Sequence, residues 1–149
     1  MHLYGPGDNC HSENSHVLPA LIRRLHEARQ RGDASVAIWG TGTPCREFPH
    51  VDDLADAAVF LMQNHSGEQF VKAGTGTDLT ILELAQLVAD VVGFTGAIVT
   101  DPSKPDGTPR KLLDVSRLAT MGWKPRIGLR EGVAGAYAWY LENAATARG

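Results

Sequence analysis

Three cations, one carboxylate, two prolines and a glycine share the eight residues Lys104-Pro105-Asp106-Gly107-Thr108-Pro109-Arg110-Lys111. Proline fixes φ and has no amide to donate, so this stretch is neither helix interior nor central strand. It reads as a stiff, exposed loop that presents Lys104, Arg110 and Lys111 together. Such a cluster suits an anion, with a phosphate as the obvious ligand. The simpler alternative is a solvated basic turn.

Four more patches are richer than a core needs. Asn14-Ser15-His16 stands at a loop-to-helix junction, where an imidazole can move a proton near neutral pH or merely cap and pack. Arg23-Arg24 follows within two helical turns, with one arginine on the face of His16, or both solvated. Trp39-Gly40-Thr41-Gly42-Thr43-Pro44-Cys45-Arg46 combines a tryptophan at a strand end, a glycine turn and an arginine. That set could stack a flat base and pair a phosphate. The alternative is a core tryptophan and a surface arginine. The carboxylates of His50-Val51-Asp52-Asp53 read as helix caps.

Several chemistries have no residues to perform them. There is no P-loop, GxGxxG, HExxH or zinc spacing, and no metal is expected. Gly40-Thr41-Gly42 and Gly74-Thr75-Gly76 are too short for a dinucleotide fingerprint, and neither opens a helix. No Tyr-x-x-x-Lys pair exists, because Asp8, Leu141 and Ala144 follow Tyr4, Tyr137 and Tyr140 at that spacing.

The elements that must position these patches follow from periodicity. Val17, Leu18, Leu21, Ile22, Leu25 and Ala28 predict a helix over 17–31, with Ser15 as N-cap and Gly32-Asp33 as stop. Strands are expected at 35–39, 69–73 and 97–100, with a short edge strand near 46–51. A helix starts at Asp52 or Asp53. Thr80-Ile81-Leu82-Glu83 is a capping box opening a helix that ends at Gly93. Short and long helices are expected at 115–121 and 129–143, the latter despite Gly132 and Gly135, each costing about 1 kcal/mol against alanine. The sum is an α/β or α+β layer arrangement of four or five helices with short strands. It forms one domain over 1–143 and a frayed tail over 144–149.

The 149 residues, 43% hydrophobic and 21% charged, fit one globular domain. The net charge of −3 argues against a general nucleic-acid binder. Cys10 and Cys45 read as free thiols in a reducing compartment. No apolar run approaches the roughly 20 residues of a membrane span, and the start is not a signal peptide. The cytoplasm is the default location. Tyr4-Gly5-Pro6-Gly7-Asp8-Asn9 is loop chemistry, as in a chain whose upstream half is missing.

Taken together, the patches resemble one family. Tyr4-Gly5-Pro6-x-Asp8-Asn9, Asn14-Ser15-His16-Val17-x-Pro19-Ala20-Leu21, Trp39-Gly40-x-Gly42-x-Pro44-x-Arg46-Glu47-Phe48, His50-Val51-Asp52-Asp53, Gly74-Thr75-Gly76 and Ser103 through Asp114 stand in the order found in GDP-L-fucose synthases. These are extended short-chain dehydrogenase/reductases of the epimerase/dehydratase superfamily. The resemblance runs from about His2 to Asn143. It implies the C-terminal, substrate-binding half of an NADPH-dependent enzyme that epimerises GDP-4-keto-6-deoxy-D-mannose at C3 and C5 and then reduces its 4-keto group. By resemblance, His16 is the catalytic acid, and Arg24, Trp39, Arg46, Asp106 and Lys111 contact the GDP-sugar. His2 and Leu3 match the end of a segment that touches the cofactor.

The family's glycine-rich NADP (Rossmann) half, its Ser/Tyr/Lys trio and its catalytic cysteine lie upstream of the matching stretch. The chain is therefore expected not to bind NADP(H) alone and to need a Rossmann-half chain for activity. The alternatives are a stand-alone GDP or GDP-sugar binding module and a truncated remnant. Departures from the family pattern include His2 for asparagine, Cys10 for an aromatic, Pro49 for leucine, Lys72-Ala73 for Asn-Val and Gly128 for a capping serine.

Overall fold

The fold is known from a computed structural model, which describes residues 2–11 and 14–144. The elements run α1 (Val17–Arg31), β1 (Ser35–Trp39), β2 (Cys45–Arg46), α2 (Val51–Asn64), β3 (Leu79–Thr80), α3 (Ile81–Val92), β4 (Ala97–Asp101), β5 (Arg110–Lys111), α4 (Ser116–Thr120) and α5 (Leu129–Asn143). This is a mixed α/β fold of five helices and short strands among the described residues. Of the expected tail, 145–149 lie outside the described residues.

Helices α1, α3 and α5 each bury one stripe against a shared core. Leu18, Leu21, Ile22, Leu25 and Ala28 of α1 meet Leu84, Ala85, Val88 and Val92 of α3 and Val133, Ala136 and Tyr140 of α5. Val36 and Ile38 of β1 join them, while the residues between point outward. β1 pairs in parallel with β4, Ser35 opposite Ala97 and Trp39 opposite Asp101. A second sheet has the order β3-β2-β5, so Arg110-Lys111 is an edge strand. These two sheets carry Trp39, Arg46 and Lys111 to one region.

The helix ends show why the elements stop where they do. Gly32 and Gly93 take the left-handed conformation at φ 71° and 78° and close α1 and α3. The capping box of α3 is complete, with Thr80 Oγ1 accepting from Glu83 N and Glu83 Oε2 accepting from Thr80 N. Gly132 lets α5 approach the first strand-like segment. A Cβ there would stand 2.2 Å from Tyr4 Oη and 3.0 Å from His50 Cδ2. Gly135 faces open space, and nothing in the structure explains it.

The short strand expected at an edge near 46–51 is instead β2, which covers Cys45–Arg46 and lies between β3 and β5. Three further expectations fail. The N-cap of α1 is His16, not Ser15, and His16 makes no side-chain cap bond. Helix α2 starts one residue earlier than expected, and its cap is the ring of His50, which accepts from Asp52 N at 3.2 Å. Asp53 instead turns inward and accepts from Arg126 N and Ile127 N, each at 3.0 Å, so it pins the loop before α5.

The third failure is the strand over 69–73. Its side chains do alternate, with Val71 and Ala73 packed on the Ala57–Leu118–Trp123 cluster and Phe70 facing out. A strand also needs a neighbour for its backbone. Among the described residues none lies alongside, and the carbonyls of Gln69 and Phe70 are met by the Arg117 side chain.

Candidate functional site

The outward alternation of β1 leaves its last residue, Trp39, 69% exposed, so it is no core tryptophan. Its ring divides a surface groove into two lobes that share Val17, Trp39 and Ile81 as walls. The first lobe, about 290 Å³, is apolar, with Ala20, Leu21 and Ile38 along it and Arg24 at its side. Arg24 stands two turns past the helix start, on the face of Val17, and also donates to the carbonyl of Ala37. Arg23 points elsewhere, to Glu27 at 2.8 Å and the Cys10 carbonyl at 3.1 Å.

The second lobe, about 390 Å³, is basic. His2, Arg46 and Lys111 line it together with the 105–108 strap, including Asp106. Arg46 is only 7% exposed, yet among the described residues no carboxylate lies within 4 Å of its guanidinium. Among the described residues, its guanidinium donates only to the carbonyl of Cys45, at 2.7 Å. A buried cation without a counterion is costly. Gly107 passes so close that a Cβ would lie 3.0 Å from Arg46 Nη2. Lys104 stands over Trp39, its Nζ 5.7 Å from the ring centroid.

His2 lies between Phe48, with rings 5.8 Å apart, and His16, with rings 5.7 Å apart. Burial, then the positive charges around it, His16, Arg46 and Lys111 among them, hold the His2 imidazole below its ordinary pKa. His2 is therefore neutral at neutral pH. His16 is exposed at the rim beside His2. Leu3 is elsewhere, in a separate cleft with Tyr4, Pro6 and Val51. The structure thus gathers Arg24, Trp39, Arg46, Asp106, Lys111 and His2, sets His16 beside them and leaves Leu3 out.

The basic loop does not present its three cations together. Arg110 forms a two-pronged pair with Asp78, at 2.6 and 3.0 Å. Neighbouring strand residues point to opposite faces, so Lys111 turns into the groove as Arg110 turns away.

Sequence reading missed Glu47. It is fully buried and takes the amides of Thr75 at 2.6 Å, Gly76 at 2.8 Å and Leu113 at 3.3 Å. A Cβ on Gly74 would lie 2.4 Å from its Oε1. The Gly74-Thr75-Gly76 loop is thus a nest for a carboxylate of the chain itself. Nothing in the period of 45–48 marks this glutamate as an inward residue, since Arg46 and Phe48 on either side are buried too.

These hydrogen bonds also bear on a dinucleotide cofactor. The amides of Thr75 and Gly76 are taken by Glu47, and that of Thr41 by Asp106. Among the described residues no glycine-rich turn opens a helix with amides left for a pyrophosphate. These residues do not fit a dinucleotide cradle. No described group of three or more His, Cys, Asp or Glu could hold a metal ion, and no described helix is long and apolar enough to cross a membrane.

The class follows from comparison with known proteins. The model of the NAD dependent epimerase/dehydratase family matches residues 1–73. A GDP-L-fucose synthetase from Naegleria fowleri, solved bound to NADP, superposes with a TM-score of 0.91 at 30% identity, over 99% of this chain and 47% of that one. Over these stretches the chain is similar to this family of epimerases and dehydratases. Its sequence is also similar to GDP-L-fucose synthases. A probable GDP-L-fucose synthase 1 from Oryza sativa subsp. japonica is 60% identical over 98% of this chain and 44% of its own length. The GDP-L-fucose synthase of Escherichia coli K12 is 51% identical over 99% of this chain and 49% of its own. The chain spans about half the length of the curated relatives it matches.

Proposed function

We propose that the groove binds the GDP part of a GDP-sugar. The chain is then the substrate-binding half of a GDP-4-keto-6-deoxy-D-mannose 3,5-epimerase-4-reductase of the cytoplasm, inactive until an NADP(H)-binding half is supplied. The observation that carries this reading is Arg46, a buried cation with no carboxylate partner among the described residues, facing a lobe it shares with Lys111. A diphosphate supplies the missing counter-charge. The guanine ring lies in the apolar lobe against Trp39, where stacking and burial stabilise it.

The sugar then extends toward His2 and His16. A 4-keto group acidifies the hydrogens at C3 and C5, and inversion needs a proton removed from one face and returned on the other. His16, exposed at the rim, is placed to return it. Neither cysteine suits the removal: Cys10 is buried, which pushes its thiol pKa up, and Cys45 does not line the groove. The base and the hydride source therefore belong to the other half.

The exposed apolar face of α2 is proposed as the seat for that half. Val51, Ala55, Val59 and Met62 lie exposed at helical spacing on α2, and Phe70 is 81% exposed in the unpaired segment beside it. A monomeric protein seldom leaves such a stripe bare. The residues proposed to hold the diphosphate and the base, Arg46, Lys111 and Trp39, are all in this chain, so GDP binding is expected without the partner.

Calorimetric titration with GDP tests the assignment. Lys111→Ala and Arg46→Gln are each expected to weaken binding by about tenfold or more, the loss of one charge-assisted contact. If both variants bind like the parent, the diphosphate does not sit in the basic lobe.

A further inference from the structure

Asp106 has the wrong sign for its place. It lines the lobe that holds Arg46 and Lys111, yet it makes an ion pair with neither. A free carboxylate there would repel a diphosphate or occupy its cations. The structure spends both of its oxygens elsewhere. Oδ1 accepts from the Thr41 amide at 2.9 Å and Oδ2 from the Thr41 hydroxyl at 2.8 Å.

We propose that Thr41 is a positioning residue of the groove: it latches the strap over 102–109 across the basic lobe by holding the Asp106 carboxylate. Asp106 then serves binding through Thr41 and not by touching the ligand. This rests on the reading that the groove takes GDP.

The surroundings fit a latch. Gly40 has φ +76°, and a Cβ there would stand 2.1 Å from Asp106 Oδ1, so only glycine lets the carboxylate settle on the turn. Asp101 O accepts from Gly40 N at 2.9 Å and Lys104 N at 3.2 Å, which fastens the near end of the strap to the same turn. Pro109 O accepts from Cys45 N at 2.8 Å and fastens the far end to β2. Between these anchors, the Asp106–Thr41 pair is the side-chain contact that sets how low the strap lies. Its height fixes Lys104 over Trp39 and Gly107 against Arg46. Thr41 Oγ1 is itself oriented by Thr43, whose amide donates to it at 3.2 Å and whose hydroxyl lies 2.7 Å away.

The test compares Thr41→Val, Thr41→Ser and Asp106→Asn with the parent chain by two readouts. Amide hydrogen exchange over 102–109 is measured without ligand, and GDP affinity by calorimetry. Thr41→Val keeps the shape and the amide but removes the hydroxyl. It and Asp106→Asn are expected to speed exchange in the strap and to weaken GDP binding by about tenfold, one charge-assisted bond. Thr41→Ser is expected to restore both to near the parent values, which a general loss of packing would not allow.

Unchanged strap exchange in Thr41→Val overturns the latch. So does parent-like GDP affinity in both Thr41→Val and Asp106→Asn, or a Thr41→Ser variant as impaired as Thr41→Val. If the parent itself binds no GDP, the reading of the groove falls, and the exchange comparison alone decides whether Thr41 holds the strap.

Discussion

At the scale of single residues, two buried charges divide the labour. Arg46 lines the groove with no carboxylate in reach among the described residues, whereas Glu47 next to it accepts from the chain's own amides. Arg46 closes β2 and lines the groove, and Glu47, just past the strand, is fully buried against the Gly74-Thr75-Gly76 loop. Replacing Glu47 with alanine leaves the buried amides of Thr75 and Gly76 without an acceptor. Glu47→Ala is therefore expected to lose about 3 kcal/mol of stability, read as a lower midpoint in urea. A midpoint equal to the parent's would mean that the Gly74-Thr75-Gly76 loop does not depend on the carboxylate.

The residue types of the site were legible in the sequence because phosphate and base recognition need arginine, lysine and tryptophan. Their hydrogen-bond partners were not. Arg110 was indistinguishable from Lys111 until Asp78, thirty-two residues away, claimed it. Likewise nothing in the sequence pairs Asp106 with Thr41, sixty-five residues away.

At the scale of elements, α1, α3 and α5 follow from apolar spacing, and their ends from glycine and a capping box. These signals are local, so sequence carries them. The failures are places where a distant partner decides. The segment over 69–73 has strand-like side chains but no neighbouring strand, so its backbone stays out of any ladder. Asp53 was free to cap its own helix, yet the loop at 126–127 captures it.

The two glycines of α5 make a matched test of long-range contact against local propensity. Gly135→Ala adds a methyl to open space and is expected to stabilise by about 1 kcal/mol. Gly132→Ala drives a Cβ to 2.2 Å from Tyr4 Oη and is expected to destabilise despite the same gain in helix propensity. Thermal unfolding of the two variants reads the contrast, and equal shifts of one sign would show that α5 does not press on Tyr4.

At the scale of the whole molecule, the chain carries a two-lobed groove proposed to take GDP, and the described residues do not fit a dinucleotide cradle. It spans about half the length of the GDP-L-fucose synthases it resembles, and its α2 stripe and Phe70 are bare. The most direct test is titration of the purified chain by calorimetry, first with GDP and then with NADPH. The account predicts saturable heat with GDP and none with NADPH. No heat with GDP, or saturable binding of NADPH alone, would contradict it.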